Sequence, residues 1–444
     1  MDEELQTVEQ EQPAKVENVF KNKNFTLTFL GALVSNVAAL FYSFAVSFYI
    51  LKITGNNALI QGLYLAVGGI TFCVVTLFGG VVADRFDKAK IMYMCDYLKG
   101  VIIIGFTFLL MFAIKSTEWK VAALFIVTVL LNAIAGIFSP ASSSLLPQIV
   151  EENQFQQAQS YFSILHSFQS IIGVILAGVL YTLIPLNVLF FIVGGCYILS
   201  AISEMFIKYT SNFEKRDEKL TFKVVLKDIG DGFKYLKSIK ALLVMMICIL
   251  FVNFFFSPVF DNFPPYFIAT DITGSNYLFH ESLAPEMWSS FFSVAVGIGS
   301  LATGIILSNL KQADKCNRIV RWSMMGISFL IILMATFYGL FSIGVISINA
   351  LLIIILVILL LVGASIILIN VPSSSAMMKI VDKDKLGKLT SVTSIGSQGL
   401  IPLSMFLGGI ALTYIGSLGM LIACAAGLLI TSLVLFFAPS FRNI

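Results

Sequence analysis

The sequence predicts an all-α membrane protein in which twelve transmembrane helices form two pseudo-symmetric six-helix bundles. Three observations carry this prediction: the composition, the length of the apolar runs and an internal repeat. Of the 444 residues, 58% are hydrophobic and only 12% are charged, whereas soluble domains have roughly 25% charged residues. So few charges cannot cover the surface of a soluble protein of this length. This excludes a cytosolic enzyme, a disordered scaffold and a secreted disulfide framework.

The apolar runs are long enough to cross a bilayer. A transmembrane helix needs about 20 mostly apolar residues, because the hydrocarbon core is about 30 Å thick and a helix rises about 1.5 Å per residue. Glycine, asparagine, proline and charged residues separate the runs, as turns require. Twelve runs meet the length criterion: 24–51, 57–83, 91–114, 119–146, 155–182, 186–208, 240–268, 287–310, 317–341, 345–378, 388–414 and 417–438.

The lysine and arginine residues give the orientation, since cytoplasmic loops carry an excess of both. With the N terminus inside, nearly all the bases between the runs fall on the cytoplasmic side, and the opposite side holds only Lys52, Lys115 and Lys120. We therefore expect a multi-pass protein of the cell (cytoplasmic) membrane with both termini in the cytoplasm. The net charge of +3 is too small to indicate a nucleic-acid partner.

The second half of the chain repeats the first. The segment 140–144 at the end of the fourth run matches 372–376 at the end of the tenth, and Ala177-Gly178 matches Gly408-Gly409, at a separation of 231–232 residues. In the segment between the halves, apolar residues recur at helical spacing among lysines, which favours an amphipathic helix on the inner membrane surface over a flexible linker. The predicted organisation is an acidic cytoplasmic tail (1–23), a first bundle (24–208), a cytoplasmic linker with the amphipathic helix (209–239), a second bundle (240–438) and a cytoplasmic C terminus (439–444).

A charged motif lies at the membrane boundary after the second run. Gly80 permits the close approach of a second helix. Asp84 can face the positive N-terminal end of a neighbouring helix, and Arg85 can form paired hydrogen bonds with a carboxylate. A plain positive-inside loop is the simpler interpretation, but the motif coincides with twelve runs and a two-fold repeat. We expect a conformational motif formed by Gly80, Asp84, Arg85, Lys88, Lys90 and Asp96.

This motif resembles the loop between the second and third helices of the major facilitator superfamily, which implies a transporter with two helical bundles around a central cavity. Within the superfamily, the chain is most similar to the bacterial branch of macrolide-efflux and enterobactin-export proteins. Val174 departs from the Gly-Pro pair that antiporters of the superfamily often carry in the fifth helix, which keeps uptake open as an alternative. The segments behind the narrower resemblance are 84–88, 96–99, 231–235, 257–260, 386–388, Pro402 and Gly408-Gly409.

Ionisable side chains within a membrane are costly and indicate function. Asp261 in the seventh run has no lysine or arginine within twenty residues on either side. Protonation would remove an expensive charge there, which suits a proton carrier; a carboxylate in water at the outer mouth is the alternative. His166 in the fifth run is the second proton-coupling candidate, or else a hydrogen-bonded packing residue.

Two further acids lie near the inner ends of runs. We expect Asp96 in the third run to pair with Arg85 or Lys99. Glu204 in the sixth run is expected to reach the inner membrane surface or to pair with Lys208, four residues further on. Both interpretations are structural.

Neutral polar residues lie near the middle of five runs that line the central cavity in the superfamily. Amides among apolar and aromatic residues favour lipophilic or amphiphilic solutes over sugars and phosphates, although helix packing explains any one of them equally well. With the histidine, the substrate-cavity candidates are Asn36, Asn132, His166, Gln169, Asn253 and Gln398.

The leading hypothesis is a secondary active transporter that moves a lipophilic or amphiphilic small molecule by alternating access, with drug-type efflux by proton antiport. A lipid or lysolipid translocase and an uptake carrier of the same fold are the alternatives. The sequence contains no Walker A loop, no clustered metal ligands and no nucleophile–base pair, so we expect no enzyme activity, cofactor or metal. The expected partners are the solute, protons and membrane lipids, with the chain acting as a monomer.

The orientation is testable by labelling single cysteines in a cysteine-free background. Asn187→Cys and Ser275→Cys should react with a membrane-impermeant thiol reagent added outside intact cells, because both positions follow runs that end outside. Ser211→Cys lies in the cytoplasmic linker and should react only after the cells are opened. The reverse pattern would contradict the predicted orientation.

Overall fold

In the computed structural model, the structure describes residues 18–151, 154–208, 239–272, 277–281, 283–309, 316–380 and 399–438, together with 234 and 237. The predicted amphipathic helix, the C-terminal segment 439–444 and most of the acidic tail lie outside these residues. Within the described part, the chain is almost entirely helical. Residues Val19–Lys21 form a 3-10 turn that packs on the bundle, where the backbone N–H of Val19 donates to Gln157 Oε1 at 3.1 Å.

The first half contains six membrane-length helices, and the predicted runs match them to within a few residues. Two of them contain a π-helical turn, which holds one residue more than an α-helical turn. The helices are α1 (Lys23–Ile53), α2 (Ala58–Arg85), α3 (Lys88–Phe108, then a π turn at Leu109–Ala113), α4 (Thr117–Ile149), α5 (Phe155–Phe168, a π turn at Gln169–Gly173, and Val174–Leu183) and α6 (Leu186–Met205).

The second half follows the same order. Its first helix is also interrupted by a π turn, which begins at a proline. The helices are α7 (Lys240–Ser257, a π turn at Pro258–Asn262, and Phe263–Asp271), α8 (Met287–Asn309), α9 (Cys316–Ser342), α10 (Ile348–Ile380), and a continuous stretch Ile401–Phe437 that comprises α11 (401–415) and α12 (417–437).

The last stretch is two helices joined at Gly416. Its backbone there has φ 69° and ψ −179°, a conformation that glycine adopts without steric cost. A straight helix of 37 residues would be about 55 Å long, far more than a bilayer needs. Among the described residues, eleven helices are long and apolar enough to cross a membrane. The bend at Gly416 divides the last of them into two helices. The sequence predicted twelve runs, with the eleventh ending at 414 and the twelfth beginning at 417, and the bend at Gly416 agrees with this division.

Side-chain caps fix the starts of several helices. Asn22, Asn57 and Ser116 each accept a hydrogen bond from a backbone N–H in the first turn of the helix that follows. Asp87 does the same for α3, where its Oδ1 accepts from the N–H groups of Ala89 at 3.0 Å and Lys90 at 3.3 Å. These contacts satisfy backbone donors that have no partner within the helix.

Each half is held together by helices that approach at glycine. Gly79 of α2 lies against the backbone carbonyl of Gly136 in α4, and Gly299 of α8 lies against the carbonyl of Leu360 in α10. Because lipid supplies no hydrophobic force between helices, packing at small residues is what joins them. The corresponding helix pairs of the two halves use the same kind of contact, as the internal repeat predicts.

An adjacent pair of glycines in α6 provides a test of this packing. A Cβ on Gly194 would lie 2.5 Å from Ile104 Cγ1 and 3.2 Å from the carbonyl oxygen of Gly100 in α3. A Cβ on Gly195 would meet no described atom within 4 Å. Gly194→Leu should therefore destabilise the protein by about 1–3 kcal/mol, the usual cost of overpacking, whereas Gly195→Leu should not. The measurement is the melting temperature of both variants in the same detergent, which should be lower for Gly194→Leu. Equal melting temperatures would contradict this packing.

Candidate functional site

The two halves meet closely at the predicted outer end, the end of the bundle where α1 connects to α2. A Cβ on Gly62 of α2 would lie 2.7 Å from the carbonyl oxygen of Met405 and 2.8 Å from Cα of Gly409, both in α11. Deeper in the same pair, a Cβ on Gly69 would lie 2.7 Å from Cγ of Pro402. This α2–α11 contact is therefore made by backbone against backbone at Gly62 and by the Pro402 ring against backbone at Gly69.

A second contact between the halves joins α5 to α8. Gly178 of α5 lies against the Ser290 hydroxyl of α8. That hydroxyl donates to the backbone carbonyl of Val174 at 2.9 Å, just after the π turn of α5. Further along α8, Gly297 packs on Ile171 within the same π turn.

The loop between α1 and α2 adds a third contact. Asn56, whose backbone lies in the left-handed region at φ 63°, donates from Nδ2 to the carbonyl oxygen of Ala269 in α7 at 3.0 Å. The three contacts, hereafter the outer contacts, are α2–α11, α5–α8 and Asn56–Ala269. They hold the two halves together from the predicted outer end to about the middle of the bundle.

Asp261 lies within the π turn of α7 and is half-buried. Among the described residues it has no hydrogen-bonding or ion-pair partner. Its neighbour Asn262 is fully buried and donates from Nδ2 to the Met405 carbonyl oxygen at 3.0 Å. Ten residues on, Asp271 is well bonded: Oδ1 accepts from the Tyr338 hydroxyl at 3.0 Å and Oδ2 from Thr270 Oγ1 at 2.7 Å. The two acids of α7 thus differ sharply in hydrogen bonding.

The structure places Asn36 and Gln169 at one level of the bundle. Gly173 of α5 contacts Leu40 of α1, and Gln169 and Asn36 each lie one turn before this contact on helices that run in the same direction. Gln169 is buried and its Nε2 has no hydrogen-bond partner among the described residues, whereas Asn36 is half-buried. A buried amide nitrogen without a partner is unusual in proteins.

The other cavity candidates are not brought together in the same way. Asn132 donates to the Thr128 carbonyl oxygen at 2.9 Å and packs on Gly68, so it lies in the α2–α4 contact. Asn253 is half-buried in α7, and His166 is exposed on α5, one turn from Gln169. Gln398 lies outside the described residues.

The conformational motif is only partly described. Helix α2 ends at Arg85, but the structure does not describe the side chains of Asp84 and Arg85. Gly80 has no described atom within 4 Å of the Cβ position, so the close contact expected of it is made instead by Gly79. Lys88 is buried and Lys90 is exposed at the start of α3.

A buried charge cluster joins α1, α3 and α6. Asp96 and Lys99 form an ion pair with Nζ and Oδ1 at 3.0 Å, and the Ser200 hydroxyl lies 2.7 Å from Asp96 Oδ2. The Lys99 ammonium also lies 4.4 Å from the centre of the Phe138 ring, a favourable cation–π contact. The sequence prediction of Lys99 as the partner of Asp96 matches this contact.

The prediction for Glu204 was wrong. Its side chain is fully buried against Gly31 of α1, and neither carboxylate oxygen has a hydrogen-bond partner in the part of the chain that the structure describes. It does not reach the membrane surface, because α1 covers the last turn of α6: Asn24 exchanges two hydrogen bonds with the backbone of Lys208, at 2.6 and 3.0 Å. Sequence spacing along α6 alone could not reveal this, since the covering residues are about 180 positions away.

Comparison with known proteins identifies the family. The model of the Major Facilitator Superfamily matches residues 27–402. The chain is 26% identical over 300 residues to YkuC, an uncharacterized MFS-type transporter of Bacillus subtilis strain 168, and the match covers 65% of each protein. It is 23% identical over 324 residues to macrolide efflux protein A of Streptococcus pyogenes, which covers 71% of this chain and 73% of that protein.

Solved structures agree in fold. A bacterial homologue of the iron transporter ferroportin in an inward-facing state has a TM-score of 0.67 at 16% identity, covering 95% of this chain and 99% of the other. A D-xylose–proton symporter has a TM-score of 0.70 at 10% identity, covering 96% of this chain and all of the other. The resemblance inferred from the motif after α2 is thereby confirmed, and the chain belongs to the Major Facilitator Superfamily of membrane transporters.

Proposed function

We propose that this transporter exports a lipophilic or amphiphilic small molecule across the cell membrane by alternating access, in exchange for protons. The observation that carries the proposal is the nature of the outer contacts. The two halves touch at glycines of α2 and α11, and at α5–α8 they touch through the Ser290 hydroxyl and through Gly297 packed on Ile171. Surfaces of this kind can separate as rigid bodies without leaving buried charges unpaired, as alternating access requires.

The solute class follows from the side chains available near the middle of the bundle. Asn36 and Gln169 offer neutral amides at one level, and α7 adds Asn253 beside the aromatic run Phe254–Phe256. Amides and aromatic rings suit a largely apolar solute with a few polar groups. The similarity to macrolide efflux protein A supports the same class and favours export.

Protons are the proposed driving ion because of Asp261. A carboxylate without a bonded partner among the described residues is costly within a membrane-spanning helix, and a proton removes that cost. The π turn that contains Asp261 departs from regular α-helical hydrogen bonding, so its backbone can adjust when the carboxyl group gains or loses a proton. His166, exposed one turn from Gln169, is the second candidate.

Two alternatives remain within the same fold. An uptake carrier would accumulate the solute inside under the same proton gradient. A lipid or lysolipid translocase would move a labelled phospholipid between leaflets. Transport assays in reconstituted liposomes distinguish both alternatives from export. The direction of solute movement identifies an uptake carrier, and movement of the labelled phospholipid identifies a translocase.

The outer contacts predict the effect of a wedge. Gly62→Leu should prevent closure of the outer end, because its side chain would occupy the space of the α11 backbone. The measurement is cross-linking of Asn56→Cys to Ala269→Cys, whose native residues are hydrogen-bonded at 3.0 Å. We expect the wedge to lower the cross-linking yield and the transport rate several-fold.

The control for the wedge is Gly105→Leu in α3, where a Cβ would meet no described atom within 4 Å. This variant should cross-link and transport like the parent. Equal yields for Gly62→Leu and Gly105→Leu would contradict the proposal that the α2–α11 contact opens and closes.

The proton proposal is tested with two acids of one helix. Asp261→Asn should abolish transport driven by an imposed pH gradient in proteoliposomes while leaving exchange of labelled solute intact, because the amide resembles the protonated carboxyl in size and polarity. A panel of lipophilic drugs and siderophores would serve as solutes.

Asp271→Asn is the matched control. Its side chain can still accept from Tyr338, whose hydroxyl lies 3.0 Å from Oδ1 in the parent, so we expect both transport modes to persist. Gradient-driven accumulation that survives in Asp261→Asn would remove this residue from the coupling mechanism.

A further inference from the structure

The buried cluster of α1, α3 and α6 has an unbalanced charge. Asp96 and Lys99 neutralise each other, and both oxygens of Asp96 have donors nearby: Lys99 Nζ at 3.0 Å and the Ser200 hydroxyl at 2.7 Å. Among the described residues, Glu204 has neither a counter-ion of its own nor a hydrogen bond to either oxygen. An ionised carboxylate in that position would be a buried, unsatisfied charge, which proteins avoid by binding a proton.

The surroundings of Glu204 offer few other titratable groups. From α3 it is faced by Cys95, Asp96 and Lys99. From α1 the contact is Gly31, where Glu204 Oε1 lies 3.1 Å from the position that a Cβ would take. A Cβ at position 31 would require the Glu204 side chain to shift by a few tenths of an ångström. The cluster therefore accommodates the acid sterically but gives it no partner.

The internal repeat indicates that the fold itself does not need these charges. A shift of 232 residues carries Asp96 to Ser328 and Ser200 to Ser432, and those two residues are hydrogen-bonded through their hydroxyls at 3.1 Å. The same shift carries Lys99 to Ile331 and Glu204 to Phe436. The second half thus packs the corresponding helices with a neutral pair, so the charges of the first half serve something besides packing.

We propose that Glu204 is a proton-binding site: it holds a proton in this conformation and releases it to water when the Lys99 ammonium moves from Asp96 to Glu204. In that step the Glu204 carboxyl group loses one proton to water and becomes a carboxylate, whose charge the ammonium then balances. The Asp96 carboxylate, which loses its counter-ion, takes up one proton from water and keeps the Ser200 hydroxyl beside it. Asp96 and Glu204 compete for one cation across the α3–α6 contact. The proposal of this site depends on the geometry of the cluster and is independent of which solute the protein carries.

Infrared difference spectroscopy of the purified protein tests the site without substrate. The wild type should show, at neutral pH, the carbonyl band of a neutral carboxyl group, and Glu204→Gln should lose that component. The control Glu118→Gln, the same change at an exposed acid in the first turn of α4, should keep it. An unchanged band in Glu204→Gln would overturn the proposal.

A second variant tests the competition for Lys99 and also covers a failure of Glu204→Gln to fold. Asp96→Asn leaves the ammonium with Glu204 as its remaining acidic partner in the cluster, so Glu204 should ionise and its neutral-carboxyl component should disappear. Retention of that component in Asp96→Asn would show that Lys99 does not reach Glu204, which overturns the proposed release.

Discussion

The constraint on which this structure depends is that a bilayer provides neither hydrophobic force between helices nor water for polar groups. The chain meets it by bringing helix backbones into contact at glycine, as at Gly79–Gly136 in one half and Gly299–Leu360 in the other. Hydroxyl groups then satisfy carbonyls across the contacts: Ser300 donates to the Gly363 carbonyl oxygen at 3.0 Å. Glycine contacts and hydroxyl–carbonyl hydrogen bonds of the same kind also join the two halves, at α2–α11 and at α5–α8.

The sequence predicted the number and the approximate positions of the helices, because span length and the internal repeat are properties of the chain itself. It also offered Lys99 as one of two partners for Asp96, with Arg85 as the other, since three residues make less than one turn of a helix. It could not place Glu204, because the burial of an acid near a helix end depends on Asn24 and Gly31 of another helix. The π turn at Gln169 was equally hidden, as its composition resembles that of the helix around it, whereas Pro258 marks an irregularity in α7 without specifying a π turn.

The two halves share an architecture but not an electrostatic character. The first half encloses two acids and one base between α3 and α6, whereas the second half has a serine pair at the corresponding positions. The second half instead has its unpartnered acid in the π turn of α7. An alignment of the two halves at an offset of 232 residues matches the charged residues of the α3–α6 cluster with neutral residues of the second half. Since both sets of positions must be buried, this difference in charge would have pointed to the cluster.

The π turns of α5 and α7 also bear on how relatives of this chain are compared. A π turn accommodates one residue more than the α-helix around it, so loss of a single residue there would restore a regular helix while leaving both ends anchored. Elsewhere in these helices, a deletion would rotate every following side chain by about 100° and destroy the packing face. Single-residue gaps in alignments of homologues should therefore fall within Gln169–Gly173 and Pro258–Asn262, in the middle of the membrane, as well as in the loops.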